Sequence, residues 1–491
     1  MIFIHHITSR NNIEGDVMFE FEKKIYKLDK EPIVKDAKFN FDDILIWPFI
    51  RNEIYEHLMA KELGFEKRHG GPGANRKLGV GKRIRKILET YIEANKQEKE
   101  VLKTDSQILF FYTLIRSKML KNNKLFDKEI DYFAEQKYDT MVLFHSFDGN
   151  DRTKERSFKN AKCMDYINIK GTFFKKIQRK IQRKQSNYEI TDFLYQNGIV
   201  DKAHMEKLNK ELYALETTLP IIKRNYLKLV NTINPKIMFI RIASYGVYSH
   251  FVKWTKELGI KVGEFQHGLI SKIHLAYNYD KELLAESDYK KIFPDYFLSY
   301  GDYWSTQLNI PSKCVTIGNP HFYNAIESYK NVYKENNTVL ILSQGTMTKK
   351  FVEIAKYLSE NLKGYSINFK LHPTEVYFED RYRELYQYKN IDVIKEGDLY
   401  SYLASNENVI SHSSTAVFEA TAFNNKIFVV KDNHTDAYIP KEIGWRFGDN
   451  EELVRLIKEK KDYTAKYDAQ HYFNQSWKEN YLEFIKEIGV R

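Results

Sequence analysis

Cysteine is scarce in this sequence of 491 residues, which contains only Cys163 and Cys314. Two distant cysteines with no Cys-x-x-Cys pair do not indicate a zinc cluster or a disulfide framework, and they suit a reducing compartment. No apolar run approaches the roughly 20 residues of a membrane-spanning helix. The beginning of the chain, MIFIHHITSRNN, lacks the basic start and long apolar core of a signal peptide. These absences predict a cytoplasmic protein whose membrane contact is at most peripheral.

The chain carries a net charge of +11, and hydrophobic residues make up 43% of it. That apolar content is enough to bury sizeable cores, and the length indicates two or three domains. The basic excess suits an anionic partner such as a nucleotide, a membrane face, an acidic glycan or nucleic acid. A Lys-rich codon bias would produce the same balance.

Part of the positive charge is concentrated in the segment FFKKIQRKIQRKQ, residues 173–185. Its cations are Lys175, Lys176, Arg179, Lys180, Arg183 and Lys184. At helical spacing Phe174, Ile177 and Ile181 fall on one side, which is typical of a helix lying on an anionic membrane surface. A negatively charged acceptor glycan and a simply solvated helix are the alternatives. Nucleic acid is a weaker alternative, since no nucleic-acid-binding signature accompanies the segment.

Buried-strand runs alternate with helical patterns from about residue 140 onward. The rhythm is seen in 140–146 and 235–268, pauses in a polar connection at 319–338, and restarts at 339–346. This alternation predicts α/β architecture with two Rossmann-like, doubly wound domains facing a cleft. The predicted divisions are a helix-rich N-terminal region 1–135, an acceptor-side domain 136–325, a nucleotide-sugar-binding domain 326–472 and a C-terminal helix 473–491 that packs back on the first domain.

The stretch ISHSSTAVFEA, residues 410–420, places hydroxyl groups between a predicted strand and a predicted helix. In parallel sheets ligands bind beyond the carboxyl ends of strands, where a helix start offers unpaired N–H groups. The hydroxyls of Ser413, Ser414 and Thr415 are therefore candidates for phosphate binding, although Ser and Thr are also ordinary helix caps. Glu419 lies one turn further and could accept a hydrogen bond from a sugar hydroxyl.

Two more strands of the second unit end in polar residues. LSQGT places Gly345 and Thr346 after one strand, where a glycine lets backbone N–H groups approach an anion. KLHPTE places His372 after another, and Pro373 favours an extended backbone there. A histidine can donate to a phosphate oxygen and, when protonated, neutralise part of its charge. Three polar strand ends in one unit predict a shared phosphate site.

The first unit ends one of its strands with GEFQHGLI. Glu264 or His267 is a candidate general base that activates an acceptor hydroxyl, although a histidine that only shapes the loop is an equal alternative. Gln266 and Gly268 belong to the same predicted acceptor side. Asp302 follows a later strand of this unit and is a further candidate for the cleft.

The pair of motifs KLHPTE and SHSSTAVFEA resembles the His-Pro and Ser-Ser/Ser-Thr motifs of bacterial capsule and lipopolysaccharide glycosyltransferases. This group includes the polysialyltransferases, the capsule Kdo transferases and, more distantly, the teichoic-acid glycerophosphotransferases. The motif FQHG is also similar to one in surface-polysaccharide enzymes of this kind. The resemblance covers about residues 235–431, and its motifs are short.

The resemblance implies a GT-B fold in which the second domain holds the nucleotide sugar and the first holds the acceptor. It also implies that His372, Ser413 and Ser414 contact the donor phosphate. Several relatives use CMP-linked donors, which favours CMP over UDP. One departure matters: the polysialyltransferases carry an acidic pair before a glycine, whereas Gln266 and His267 stand there in this chain. The resemblance therefore leaves the base and the sugar open.

These observations together predict a glycosyltransferase of surface-polysaccharide synthesis, inverting, with no cofactor and no metal site. Its donor would be a nucleotide sugar, and its acceptor a glycan or a lipid-linked hydroxyl. The alternatives are a CDP-glycerol-type glycerophosphotransferase, a nucleotide-sugar epimerase of similar two-domain shape, and a basic scaffold without enzymatic activity that binds membranes or nucleic acid.

Overall fold

The structure is a computed structural model that describes residues 13–63, 89, 92–93, 95–102, 105–113, 118–136, 139–145, 155–167, 187–373, 375–459 and 469–490. The predicted membrane-binding segment 173–185 lies outside the described residues. Within the described part of the chain, no helix combines the length and apolarity that crossing a membrane requires.

The described strands are short and mostly buried. They are β1 (Ile108–Thr113), β2 (Lys118–Lys121), β3 (Lys124–Asp127), β4 (Thr140–His145), β5 (Ala161–Cys163), β6 (Ile237–Ile240), β7 (Lys261–Phe265), β8 (Tyr296–Ser299), β9 (Lys313–Thr316), β10 (Glu335–Leu342), β11 (Ser366–Lys370), β12 (Ile391–Ile394), β13 (Asn406–Ser411), β14 (Lys426–Val430) and β15 (Trp445–Phe447).

Helices cover both faces of the sheets that these strands form. The α-helices described are Ile13–Leu28, Pro32–Asp36, Trp47–Leu63, Asp131–Ala134, Glu189–Gln196, Lys202–Glu216, Leu219–Ile233, Ser249–Glu257, Lys281–Ala285, Ser287–Lys291, Pro320–Tyr329, Thr348–Asn361, Leu399–Ser405, Thr415–Ala422, Asn433–Tyr438, Asn450–Lys458, Ala469–Tyr472 and Trp477–Glu487. Shorter 3₁₀ segments are Ala243–Tyr245, Leu275–Tyr277, Asp302–Gln307 and Val376–Gln387.

Two parallel sheets organise the chain, and their strand orders follow the same rule. The first sheet has the order β5-β4-β1-β6-β7-β8-β9, and the second has the order β12-β11-β10-β13-β14-β15. All their neighbouring strands are parallel, whereas β2 and β3 form a separate antiparallel pair. The chain order reverses between β1 and β6 and between β10 and β13, where doubly wound folds bind ligands. The predicted pair of doubly wound α/β domains is confirmed.

Side chains alternate across each sheet and build a core on both faces. In β1, Leu109 and Phe111 join the core that contains the N-terminal helices, whereas Phe110 and Tyr112 join the core that contains the C-terminal helix. The second sheet is likewise enclosed by two cores. Parallel sheets need such cover on both faces, because their strands are apolar on both sides.

The boundary predicted at residue 135 is wrong, because β1 (108–113) lies in the middle of the first sheet. Its run ILFFYT has the length and residue types of a buried strand, although the predicted alternation of strands and helices begins only at about residue 140. The N-terminal helices belong to the same domain. Arg51 forms a buried ion pair with Asp29 at 2.7 Å and also donates to the carbonyl of Asn278 at 3.1 Å.

The boundary predicted at 325/326 also needs correction. The helix Pro320–Tyr329 lies within the predicted polar connection, and its Phe322 and Ala325 pack in a core of the second domain. Its amphipathic pattern was hidden by the polar residues that follow it. The second domain therefore begins close to Pro320.

Both ends of the described chain cross between the domains. The C-terminal helix Trp477–Glu487 packs Tyr481 and Phe484 against the first sheet. At the other end, Glu22 lies 3.8 Å from His434 Nε2 and accepts a hydrogen bond from Tyr438 of the second domain at 3.5 Å. Burial raises the pKa of Glu22 to about 8. The two domains are thus joined by more than their direct connection.

Candidate functional site

A cavity of about 190 Å³ lies between the carboxyl ends of the two sheets. Gln266, His267 and Gly268 line it from the first domain, and Thr415 and Glu419 line it from the second. Its other lining residues are Lys128, Glu129, Phe133, Phe265, Tyr300, Gly318, Asn319, Pro320, His321 and Tyr400. Five of the residues predicted from the sequence therefore face the same space, although they belong to two domains.

His267 is connected to Glu264 through Tyr277. The Tyr277 hydroxyl donates to Glu264 Oε1 at 3.0 Å and lies 3.3 Å from His267 Nδ1. When Glu264 is ionised it takes the single hydroxyl proton of Tyr277, and the Nδ1–H group of His267 then donates to the Tyr277 oxygen. A neutral His267 then has no proton on Nε2, which is the state a general base requires.

Glu264 itself is fully buried and does not line the cavity. Its Oε2 atom accepts from the Ser244 backbone N–H at 2.8 Å and from the Ser244 hydroxyl at 2.6 Å. Burial raises the pKa of Glu264 to about 7, against the opposing effect of these hydrogen bonds. The prediction that Glu264 contacts the acceptor as a base is therefore wrong, because Glu264 lies behind the cavity wall. Tyr277 connects Glu264 with His267.

The chain bends sharply at the end of β6 to build this arrangement. Ile242 has φ 52° and ψ 35°, a left-handed conformation that costs a β-branched residue roughly 1–2 kcal/mol. The bend brings Ser244 within hydrogen-bond distance of Glu264. Next to it, Arg241 donates two hydrogen bonds to Glu129, at 2.7 and 2.8 Å. Strain of this kind is common at ligand sites.

The cavity wall carries two carboxyl groups and one lysine. Burial acts to raise the pKa of Glu129, but hydrogen bonds and charge from Arg241 outweigh it and the pKa is lowered. Burial raises the pKa of Glu419, which accepts from Tyr400 at 3.0 Å, while the charge of Lys128 opposes the shift. Among the described residues, Lys128 has no carboxylate within ion-pair distance, so its charge is available to a ligand anion.

His321 adds a neutral imidazole to the cavity. It lies at the first turn of the helix Pro320–Tyr329, and burial lowers its pKa to about 4. At neutral pH this ring therefore offers one donor and one acceptor without a charge.

The second sheet brings three predicted segments together at its carboxyl edge. The backbone N–H of His372 donates to Ser343 Oγ at 2.9 Å, and Gln344 Nε2 donates to Ser413 Oγ at 3.2 Å. A Cβ on Gly345 would lie 3.4 Å from Glu375 Oε1. These contacts follow from the neighbouring positions of β11, β10 and β13, whose ends carry the three motifs.

These second-domain residues do not all reach the cavity. His372 and Pro373 are exposed at the edge of the sheet, Gly345 and Ser413 are half-buried and Thr346 is buried, and none of the five lines the cavity. The buried hydroxyl of Thr346 has no hydrogen-bond partner among the described residues. Buried polar atoms are rarely left in that state, so this edge has capacity to bind a polar ligand.

The helix Thr415–Ala422 uses its hydroxyls for different purposes. Ser414 is the N-cap, and its Oγ accepts from the Ala416 backbone N–H at 3.3 Å. Thr415, the next residue, is half-buried and faces the cavity. The ordinary capping alternative thus applies to Ser414, and Thr415 is the hydroxyl best placed for a ligand.

Asp302 was predicted to face the cleft, and this is wrong. It is exposed, accepts a hydrogen bond from the Thr316 hydroxyl, and does not line the cavity. Just before it, Gly301 lies against the backbone of Tyr472, where an added Cβ would come within 2.5 Å. Tyr300 is the last residue of this strand end that reaches the cavity.

Several residues that line the cavity or lie behind its wall carry no prediction from the sequence. Arg241 and Ser244 follow β6 directly, and the strand-end argument would have found them. Lys128 and Glu129 follow the antiparallel strand β3, and Tyr277 lies in a turn, so no comparable signal marked these three residues.

No protein-family model matches the chain, and no curated protein sequence matches it either. Among solved structures, a UDP-GlcNAc 2-epimerase from Neisseria meningitidis bound to UDP-GlcNAc has 10% identity and a TM-score of 0.44, covering 78% of this chain and 99% of that one. A putative UDP-N-acetylglucosamine 2-epimerase from Listeria monocytogenes has 11% identity and a TM-score of 0.47, covering 78% and 96%.

A third similar structure is an α,α-trehalose-phosphate synthase (UDP-forming) from Burkholderia vietnamiensis. It has 11% identity and a TM-score of 0.40, covering 79% of this chain and 94% of that one. These values are too low to transfer an activity. The class that the fold and site define is a two-domain α/β protein with a ligand cavity between its sheets.

Proposed function

We propose that the protein is a glycosyltransferase that moves a sugar from a nucleotide-sugar donor to a hydroxyl of a glycan or lipid-linked acceptor in surface-polysaccharide synthesis. The observation that carries the proposal is the cavity in which His267 of the first domain and the start of the helix Thr415–Ala422 of the second domain face the same space. One side can accept a proton, and the other can stabilise a leaving phosphate.

On the acceptor side, His267 Nε2 takes the proton of the attacking hydroxyl. The imidazolium that forms is stabilised by Glu264 through Tyr277, which also holds the ring in the required tautomer. Glu264, with a pKa of about 7, carries a substantial negative charge at neutral pH. This is general-base catalysis with an inverting outcome, because the acceptor attacks directly.

On the donor side, negative charge develops on the departing phosphate. The N-terminus of the helix Thr415–Ala422, the Thr415 hydroxyl and the Lys128 ammonium group are the stabilising groups at the cavity. Each well-placed donor of this kind contributes roughly 3 kcal/mol to transition-state stabilisation. His372 and Ser413, which the family resemblance assigns to the donor phosphate, lie further along the same sheet edge.

The nucleotide carried by the donor is a separate part of the proposal. The family resemblance favours CMP, whereas the similar structures reported above are a UDP-GlcNAc 2-epimerase and a UDP-forming synthase. Thermal-shift measurements with CMP, CDP, UDP and GDP test this, since a ligand that binds the folded state raises the melting temperature. If none of the four raises it, the proposed function is wrong.

An epimerase that acts on a free nucleotide sugar is the second candidate. The cavity of about 190 Å³ is smaller than the roughly 300–1,000 Å³ of common ligand sites, which suits one sugar better than a donor and an acceptor together. Incubation with the nucleotide sugar alone decides between them. A change of sugar stereochemistry without an acceptor supports the epimerase, and dependence on an acceptor supports the transferase.

The cytoplasmic location and membrane contact through residues 173–185 are parts of this proposal. Sedimentation with anionic and neutral vesicles tests the contact. Binding to anionic vesicles that is lost when the six cations are replaced by Gln would support it.

A further inference from the structure

A buried acid–histidine pair lies directly behind Ser413. His412 is fully buried, and its Nε2 atom is 2.7 Å from Asp432 Oδ2. Its Nδ1 atom is 3.0 Å from Ser413 Oγ. Asp432 is held by the Thr435 backbone N–H, which donates to its Oδ1 atom at 2.6 Å. The chain of groups leads from the interior of the second domain to its ligand-binding edge.

Counting donors and acceptors fixes the protons of this chain when His412 is neutral. Burial acts to raise the pKa of Asp432, but hydrogen bonds from His412 and the Thr435 backbone oppose it and the pKa is lowered, so the carboxylate is ionised and accepts the Nε2–H group. Nδ1 then has no proton, and the Ser413 hydroxyl must donate to it. Gln344 Nε2 also donates to Ser413 Oγ at 3.2 Å. Ser413 therefore offers a ligand only a lone pair, which repels an anion.

A proton on His412 reverses this arrangement. Nδ1–H becomes the donor to Ser413 Oγ, and Gln344 continues to donate to the same oxygen. Both lone pairs of Ser413 are then occupied, and its O–H group is released to donate to a phosphate oxygen. The added positive charge also lies one side chain away from the anion, in a buried pair whose counter-charge is Asp432.

We propose that the second domain binds its phosphodiester or diphosphate ligand together with one proton, which His412 takes up so that Ser413 can donate. The class of ligand rests on the proposed function, whereas the coupling rests only on the Asp432–His412–Ser413 geometry. His412 and Asp432 are positioning residues, because they act on the ligand through Ser413.

The other groups around His412 allow this uptake. The His434 ring stacks on it with centroids 5.4 Å apart and planes 5° apart, and burial lowers the pKa of His434 to about 3, so that ring is neutral. Glu22 lies behind His434 at 3.8 Å, and with a pKa of about 8 it is mostly uncharged at neutral pH. Asp432 is thus the charged group that faces His412 directly.

The test is isothermal titration calorimetry of the full chain with UDP-GlcNAc and a CMP-linked sugar in buffers of different ionisation enthalpy. Neither ligand titrates near neutral pH, so any proton uptake belongs to the protein. We expect uptake of up to one proton, with affinity that falls as the pH rises, by up to about tenfold per pH unit. His412→Asn places an amide N–H close to the Nδ1 position, and we expect it to bind without uptake and independently of pH.

Ser413→Ala is the second variant, since its half-buried side chain can be shortened with little risk to the fold. We expect it to lose most of the uptake and to bind more weakly. Unchanged uptake in either variant, or no uptake in the wild type, would overturn the inference.

Sulfate, a dianion that does not titrate near neutral pH, separates this inference from the proposed function. The imidazole NMR signals of His412 are followed with and without sulfate. Protonation of His412 on addition of sulfate, without any nucleotide-sugar binding, would remove the proposed function and keep the coupling. No protonation with sulfate and no uptake with nucleotide sugars would remove the coupling.

Discussion

The two sheets share one strand order but end in different chemistry. The first sheet ends in groups that exchange protons or carry charge. His267 has Tyr277 and Glu264 behind it, and Arg241 is paired with Glu129. The second sheet ends mainly in hydroxyls, an amide and helix N–H groups, with the buried Asp432–His412 pair behind them. The same backbone therefore supports a reactive edge in one domain and a binding edge in the other, and the side chains at strand ends decide which.

Replacing His267 gives the strongest test of this division. We expect His267→Gln to lower kcat by about a thousandfold, because general-base catalysis contributes factors of this order. The nucleotide Kd should stay within about threefold, since binding is assigned to the other edge. Steady-state kinetics and calorimetry measure the two quantities. Asp302→Asn is the matched control, and a large loss in that variant would show that the cavity is not the reaction site.

Glu22 lies at a contact between the two domains, and its raised pKa predicts that the stability of the protein depends on pH. Its ordinary pKa of 4.5 is raised to about 8 in the folded protein. Between these values the folded chain keeps a proton that the unfolded chain has lost, so its stabilising effect is complete below about pH 4.5 and is lost as the pH rises toward 8. This loss is about 1.4 kcal/mol per pH unit. Urea unfolding at several pH values should show a steeper decline for the wild type than for Glu22→Gln, and parallel curves would contradict it.

Tyr277→Phe tests whether the connection between His267 and Glu264 contributes to catalysis. It removes the link between His267 and Glu264 while Ser244 still donates to the carboxylate. We expect kcat to fall about tenfold, with the basic group in the pH profile of kcat/KM moving to lower pH because the imidazolium is less stabilised. Tyr279→Phe removes a neighbouring hydroxyl that lies 3.4 Å from the Ser244 carbonyl, and it should leave the profile unchanged.

Thr415 and Ser414 test the binding edge with adjacent hydroxyls. Thr415→Val should weaken nucleotide-sugar binding about fivefold, close to the 1 kcal/mol of one hydrogen bond, without a change in melting temperature. Ser414→Ala should cost about 1 kcal/mol of stability through the lost cap and leave the Kd within about twofold. Calorimetry and urea unfolding measure both effects. The opposite pattern would exchange the roles assigned to the two residues.

Much of the layout could be predicted from the sequence, because apolar runs that end in polar residues mark the carboxyl ends of buried strands. That signal located Gln266, His267, Thr415 and Glu419 at the cavity without any knowledge of the contacts between domains. It failed for Asp302, which follows the close approach of Gly301 to the distant segment that contains Tyr472.

Long-range contacts explain the other omissions. Lys128 reaches the cavity from a turn, and Tyr277 contacts His267 from a short 3₁₀ segment, and no local pattern links either position to a shared site. The short strands β5 and β15 have three residues each, too few for a periodic signal. The proton chain behind Ser413 depends on Asp432, which lies some 20 residues further along the chain.

The crossing of both chain ends between the domains has a consequence for limited proteolysis. Residues 330–333 form an exposed link between the helix Pro320–Tyr329 and β10. A nick there would give two fragments that still co-elute, because the larger carries Glu22 against Tyr438 of the smaller, and the smaller supplies the helix Trp477–Glu487 that covers the sheet of the larger.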